Sequence, residues 1–411
     1  MTSSTPALAA TPVTSTQQLQ TLLNSIRESL GSPPYGVLDL AAVRANARYL
    51  AELAKGKPIR IATKSVRCTR VLDELLRLPG YQGLLTLTLP EALRLQELGY
   101  RDIVVGYPTT DAAALRRLAA NEQACSDITT LLFDSAEQLD FTDSVIPPGR
   151  RPVLRACLEL DVSLRVGRAV HIGSYRSPLF SPHELRDFAA RVAARPGYTP
   201  AGILAYEGQL AGVHDGGNSP RACAVRLMKQ TSRQELLPRR TAAIRAAREI
   251  FEPEFVNGGG TGSIPYTVAD PSVTEVGAGS GIYAPGLFSR YRGLRLRPAA
   301  YYACPVVRRP WPDIVTVAGA GWVASGVPGT DRLPTVAYPT GLDYLPQEMA
   351  GEAQTPLRGA ATACLAIGDL VLFRHAKAGE LCERINEFVV VDGGEVVDRW
   401  PTYRGEGIVL Q

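Results

Sequence analysis

Two stretches of the chain have the residue types and placement that chemistry requires. Lys64 closes the run Ile59-Arg60-Ile61-Ala62-Thr63-Lys64. A lysine that ends a strand of Ile and Ala points into a partly dry mouth, where its amine can form a Schiff base with a carbonyl. Taken alone, the same lysine reads as an exposed loop residue. The second stretch is Val256-Asn257-Gly258-Gly259-Gly260-Thr261-Gly262-Ser263, followed by Gly277-Ala278-Gly279-Ser280-Gly281 after the next apolar run. Glycines after a strand free backbone N–H groups to converge on an anion, and Thr261 and Ser263 add hydroxyl donors. The lysine of a Walker loop and the spacing of a dinucleotide fingerprint are both missing, which argues against a nucleotide. Either run alone could be a simple turn. Two of them opposite a strand-end lysine point to a phosphate-bearing ligand.

The elements that must position these residues follow a regular alternation. Strands are expected at 35–40, 59–62, 83–87, 102–105, 128–133, 153–160, 202–206 and 255–257, with helical periodicity between them, including a long helix at 230–250. Eight strands alternating with helices predict an α/β fold closed into a (β/α)8 TIM barrel, whose active site lies at the C-terminal ends of the strands. After about residue 290 the pattern becomes short β-rich runs at 299–306, 314–318, 370–373, 387–391 and 395–397, separated by Pro/Gly turns. These predict a C-terminal antiparallel β-domain. The expected organisation is a flexible tail over 1–30, a barrel over 31–290 and a β-domain over 291–411.

Bulk properties narrow the class. The chain has 411 residues, 45% hydrophobic and 20% charged, with a formal net charge of +4. No basic stripe suggests nucleic acid and no apolar run is long enough to cross a bilayer. Residues 1–20 lack the basic and apolar regions of a signal peptide. Seven scattered cysteines without a CxxC pair fit a reduced, cytoplasmic setting. His171, His183 and His214 read as loop or helix-start residues, Trp311, Trp322 and Trp400 as packing of the β-domain, and Arg239-Arg240 as a solvated helix face.

Together, Lys64 and the glycine runs resemble the pyridoxal-phosphate (PLP) binding barrel of the alanine racemase family, fold type III. Over about residues 33–405 the chain is most similar to the branch holding D-threonine aldolase and D-serine dehydratase, a group also described as amino acid deaminase/aldolase. The resemblance implies PLP held by Lys64 as a Schiff base, a phosphate loop at Gly258, Gly259, Gly260 and Thr261, and a second phosphate segment at Glu275, Gly279 and Ser280. It implies that Arg165, in Asp161-Val162-Ser163-Leu164-Arg165, and Tyr206, in Ala205-Tyr206-Glu207-Gly208, neighbour the cofactor ring. It also implies a homodimer in which the β-domain of one subunit closes the barrel mouth of the other.

Two positions depart from the family pattern. Gln209 stands where relatives carry His after Tyr-x-Gly. Relatives hold a divalent metal through a His and an Asp or Cys two positions later, whereas this chain has His375-Ala376-Lys377, then Glu380-Leu381-Cys382-Glu383. Either the metal is gone and His375 serves as base, or His375 with Cys382 or Glu380 forms a rearranged site. PLP supplies the electron sink, and the protein chooses which bond at Cα breaks. The preferred expectation is a lyase on a D-configured β-hydroxy amino acid, with Lys64 and His375 catalytic. The alternatives are an amino acid racemase, using a tyrosine among Tyr301, Tyr302, Tyr338 and Tyr344 as second base, and a non-catalytic PLP carrier.

Overall fold

The computed structural model describes Gln20, Leu23, Ile26 and residues 33–167 and 170–408. Most of the expected tail therefore lies outside the described residues. Leu23 and Ile26 are buried, packed on Val37, Ala303, Leu372 and Val389. Apolar side chains at positions 23 and 26 share one helical face.

The first strand, β1 (Tyr35–Asp39), does not join the barrel. Barrel closure instead uses β2 (Ile59–Ala62), β3 (Tyr81–Thr86), β4 (Ile103–Val105), β5 (Leu131–Phe133), β6 (Leu154–Glu159), β9 (Tyr198–Ala205), β10 (Phe255–Gly258) and β11 (Glu275–Ala278), all parallel. A short hairpin, β7 (Leu164–Val166) with β8 (Val170–Ile172), stands outside it. The strands run in the order β4-β3-β2-β11-β10-β9-β6-β5, and a single parallel bridge from Val104 to Thr130 nearly closes the ring. The count of eight was right but its membership was not. The strand at 275–278 takes the place expected for the one at 35–40; its Glu-Val-Gly-Ala sequence lacks the β-branched run that marks a buried strand, which hides it in the sequence.

The barrel interior is partly polar. Leu85, Val104, Leu132, Cys157, Leu204 and Phe255 form a small apolar cluster apart from the main core. Beside them Arg60 gives Nε to Glu275 at 2.7 Å and Nη1 to Asp102 at 2.8 Å, with its guanidinium 5.2 Å from the Phe255 ring centroid. Asn257 also donates to Glu275, at 2.9 Å. Glycine at 83 makes room for this arginine, since a Cβ there would meet Arg60 Nη1 at 2.3 Å. Losing one partner of such a buried pair costs about 3–5 kcal/mol, which holds Glu275 in this network.

The second sheet contains β12 (Ala300–Trp311), β13 (Ile314–Ala318), β14 (Thr335–Tyr338), β15 (Asp343–Tyr344), β16 (Gln354–Arg358), β17 (Leu370–Arg374), β18 (Glu387–Asp392) and β19 (Glu395–Pro401). It is mixed and not purely antiparallel: β1 lies between β12 and β18, antiparallel to the first and parallel to the second. Asp39 ends β1 and caps the helix Leu40–Leu53, accepting from the Ala42 N–H at 2.9 Å, so one residue joins the β-domain to the barrel's helical shell. Trp400 is buried and Trp322 stacks on Tyr302 at 4.0 Å, but Trp311 is 63% exposed at the solvent end of β12.

Candidate active site

Lys64 sits in the short 3-10 turn Thr63–Ser65 at the C-terminal end of β2. It lines a cavity together with Tyr107, Arg176, Tyr206, Thr261 and Ser280. Its ammonium donates to the Tyr107 hydroxyl and lies 5.0 Å from that ring's centroid. Tyr107 follows β4, so the ends of two strands on either side of β3 meet at the amine.

Across the cavity lie the two glycine loops. Gly259 has φ +83°, a left-handed conformation that favours glycine, and a Cβ there would meet Thr267 Oγ1 at 2.6 Å. A Cβ at residue 260 would meet Ala211 Cβ at 2.9 Å, and one at 279 the Ala62 carbonyl at 2.5 Å. The loops touch each other: Thr261 Oγ1 accepts from the Gly281 N–H at 3.0 Å and from Ser280 Oγ at 3.4 Å. The backbone N–H groups of Thr261, Gly262, Gly279 and Ser280 have no partner among the described residues. Free donors at a cradle too tight for side chains are what a phosphate dianion needs. Gly258 is the last residue of β10 and supports the loop from behind, and Ser263 turns inward to donate to the Gly260 carbonyl at 3.3 Å.

A buried network supports this loop. Arg240 binds Glu207 and, at 2.6 Å, Asp270, while Glu207 accepts from Thr267 Oγ1 at 3.2 Å. Arg239 donates to the carbonyls of Asp161, Phe180 and Ser163 at 2.8–3.0 Å. The arginine pair is therefore structural and not a solvated face. Two arginines in sequence point to different sides of a helix, and here both sides are covered.

Of the remaining expected residues, Tyr206 lines the cavity, with its phenol pushed above its usual value by burial. Arg165 does not line it. Its guanidinium binds Asp161 and stacks 4.3 Å over Phe180, because the hairpin β7–β8 carries it to the flank of the mouth. Gln209 also turns away, donating to the Val162 carbonyl at 2.6 Å and to Ser232 at 2.9 Å. Sequence reasoning missed Tyr107, Arg176 and Asn257, all of which line the cavity. Tyr107, in Gly106-Tyr107-Pro108 directly after a barrel strand, was findable by the rule that strand ends carry the site; Arg176 lies far along a loop and carried no such mark.

His375 follows β17 and lies in a second cavity with Trp322, Ala324, Lys377, Glu380 and Arg384; no residue lines both cavities. It is 4% exposed, its Nδ1 pairs with the Ala300 carbonyl at 3.2 Å, and its Nε2 is buried without a partner. Burial, then Arg374, lowers its pKa to about 3. The donors expected for a metal do not assemble around it. Lys377 gives its ammonium to Ser325 Oγ at 2.5 Å and to Glu380 at 3.2 Å. Cys382 points its thiol at the Val66 carbonyl, 3.3 Å away. Among the described residues no group of three His, Cys, Asp or Glu converges as a metal site.

Comparison with known proteins agrees with this architecture. Residues 38–284 match the family model of the alanine racemase N-terminal domain. The 3-hydroxy-D-aspartate aldolase of Paracoccus denitrificans is 26% identical over 263 residues, covering 63% of this chain and 62% of that protein. The match thus spans less than two thirds of that relative. Among solved structures, D-threonine aldolase from Filomicrobium marinum superposes with a TM-score of 0.74 at 19% identity, covering 91% of this chain and 95% of that one. D-threo-3-hydroxyaspartate dehydratase from Delftia sp. HT23 gives 0.72 at 18%, covering 93% and 99%. These two establish the shared fold, including the β-domain. With the model match spanning most of the barrel, the chain belongs to the alanine racemase N-terminal domain family.

Proposed function

We propose that the chain is a PLP-dependent lyase acting on D-configured β-hydroxy amino acids, by aldol cleavage or by dehydration. The observation that carries the reading is the cavity in which Lys64 faces two hydroxyl-bearing glycine loops. The free N–H groups of Thr261, Gly262, Gly279 and Ser280 would hold the phosphate, with the Thr261 and Ser280 hydroxyls beside them. When bound, PLP draws electron density from the substrate's Cα. Lys64 would hold the cofactor and then carry a proton to or from the reacting carbon, its amine oriented by the Tyr107 hydroxyl. Tyr206 would border the ring. The sequence match to a protein named 3-hydroxy-D-aspartate aldolase supports a lyase over a racemase. A cytoplasmic homodimer completes the proposal, supported by seven free cysteines and by a cavity mouth that a second subunit would cover.

The test incubates PLP-loaded protein with D- and L-β-hydroxy amino acids, with and without EDTA, assaying aldehyde, keto acid and enantiomer together. Aldehyde or keto acid from the D-isomers is expected. Enantiomer exchange alone would make the protein a racemase, and no turnover a carrier. Sedimentation of a fully active monomer would reject the dimer.

A further inference from the structure

We propose that Arg176 reads a second carboxylate on the substrate, so that the preferred substrates are β-hydroxy amino acids with an acidic side chain. This rests on the lyase reading above.

Arg176 lines the Lys64 cavity and is exposed at its mouth. Its guanidinium carbon lies 5.4 Å from the Tyr107 ring centroid and 5.2 Å from that of Tyr206. Two aromatic rings thus hold the cation in place without using its N–H groups. Among the described residues it makes no hydrogen bond or ion pair, and its recorded neighbours are the two tyrosines and the field of Glu159. The nearby arginines are committed: Arg165 to Asp161, and Arg60 to Glu275 and Asp102.

The charges of the cavity lining are Lys64 and Arg176, with no carboxylate among them. The phosphate has its own donors in the glycine loops, and Lys64 is bonded to Tyr107. That leaves one planar five-donor fork, preoriented and unspent, at the solvent side of the site. Such a fork matches a carboxylate bidentately. The reacting carbon must lie near Lys64, so the part of the substrate that reaches an exposed mouth residue is its side chain. A hydroxyl-bearing side chain ending in a carboxylate would satisfy Arg176; the methyl of a threonine would not.

The experiment uses PLP-loaded parent, Arg176→Ala and Arg176→Lys. It measures kcat and KM for D-3-hydroxyaspartate and D-threonine, and calorimetric binding of D-malate and D-lactate, which lack the amine and cannot react. In Arg176→Ala the preference for the diacid over D-threonine, as a ratio of kcat/KM, should fall about 10–100-fold, the range for a hydrogen bond to a charged partner. The loss should lie in KM, and Arg176→Lys should fall between the two. D-malate should bind the parent, lose that binding in Arg176→Ala, and outcompete D-lactate. Equal KM losses on both amino acids would overturn the proposal and make Arg176 a partner of the α-carboxylate. A kcat collapse on both substrates would overturn it in favour of a role at the cofactor. If no amino acid is turned over yet D-malate binding still depends on Arg176, the lyase reading fails while the carboxylate site stands. D-malate binding that is absent, or unchanged in Arg176→Ala, rejects the site itself.

Discussion

The cavity at Lys64 and the cavity at His375 lie close together, yet they are built on opposite principles. The segment that lines the second touches the backbone of the first: a Cβ at Gly379 would meet the Lys64 carbonyl at 2.0 Å, and Cys382 bonds the Val66 carbonyl. Around Lys64 the polar groups are left free, with bare N–H groups on the glycine loops and an unpaired guanidinium on Arg176. Around His375 they are already used, with Lys377, Glu380 and Ser325 bonded to one another and the imidazole tied to Ala300. A site for a charged ligand keeps donors in reserve, while an interior satisfies them internally. Among the buried side-chain atoms of the described residues lining the second cavity, only His375 Nε2 lacks a partner.

The largest effect expected from this contrast is at Lys64. Lys64→Ala should lower turnover by roughly 10²–10⁴-fold, the worth of a positioned proton-transfer group. Borohydride reduction of the parent followed by peptide mass mapping should place the pyridoxyl group on Lys64. A label on another lysine would break the comparison at its root.

Next comes the loop that faces it. Gly259→Asp forces a side chain onto a left-handed residue, drives its Cβ against Thr267, and adds a carboxylate to the loop that would hold the phosphate. Like charges brought together cost several kcal/mol, which corresponds to roughly a 100-fold or greater loss of PLP affinity. Circular dichroism checks that the variant folds, and cofactor titration reads the effect. Parent-like affinity in a folded variant would reduce the glycine run to a turn.

The two regions also carry opposite proton linkages. Burial, opposed by Arg176 and reinforced by Asp134 and Asp161, raises the Glu159 carboxyl at the barrel mouth from 4.5 to about 7. Its folded form binds the proton more tightly, so its stabilisation is complete below 4.5 and is lost as pH rises through 7. His375 shifts the other way, from 6.5 to about 3. Its unfolded form binds the proton more tightly, so it costs stability as pH falls below 6.5. Each contributes a slope of up to about 1.4 kcal/mol per pH unit, with opposite signs. Relative to the parent, Glu159→Gln should make stability rise more steeply with pH between 4.5 and 6.5, and His375→Gln should make it fall more steeply. Denaturant midpoints across that window read both, and parallel curves would show that neither group is linked to folding.

The smallest effect concerns turnover and His375. Because it lines the other cavity, His375→Ala should lower kcat far less than Lys64→Ala, and EDTA should leave the parent's kcat unchanged. If EDTA abolishes activity and a divalent ion restores it, Cys382 or Glu380 must turn to join His375, and the second cavity becomes part of the site.

How much of this was legible depends on range. Lys64 and the glycine runs announce themselves because their chemistry is local: a strand end, a φ that favours glycine, a hydroxyl beside it. Arg165 and Arg176 show the limit. Both follow β6, eleven residues apart in sequence, and the motif favours the first, but the hairpin between them decides which reaches the cavity. Nothing short-range in the sequence sets that turn. The surroundings of His375 were hidden for a related reason. A strand end in the β-domain looks the same whether it opens onto the substrate or onto Ala300, and only the packing of β17 between β12 and β14 selects the second. The reverse error, at Arg239 and Arg240, arose because charge reads as exposure until the buried partners Glu207 and Asp270 are seen across the fold.

The placement of β1 has a consequence for how the molecule comes into being. The strand Tyr35–Asp39 is made well before its partners, Ala300–Ala303 and Phe388–Val391. At ordinary elongation rates it must wait on the order of tens of seconds before either is made. During that interval the barrel can assemble behind it while its own edges stay unpaired, the kind of strand that invites association with other nascent chains. A polypeptide stopped after the barrel would keep that exposed strand permanently. The barrel is thus a unit of architecture but not of biogenesis, and its safe completion depends on strands synthesised after it.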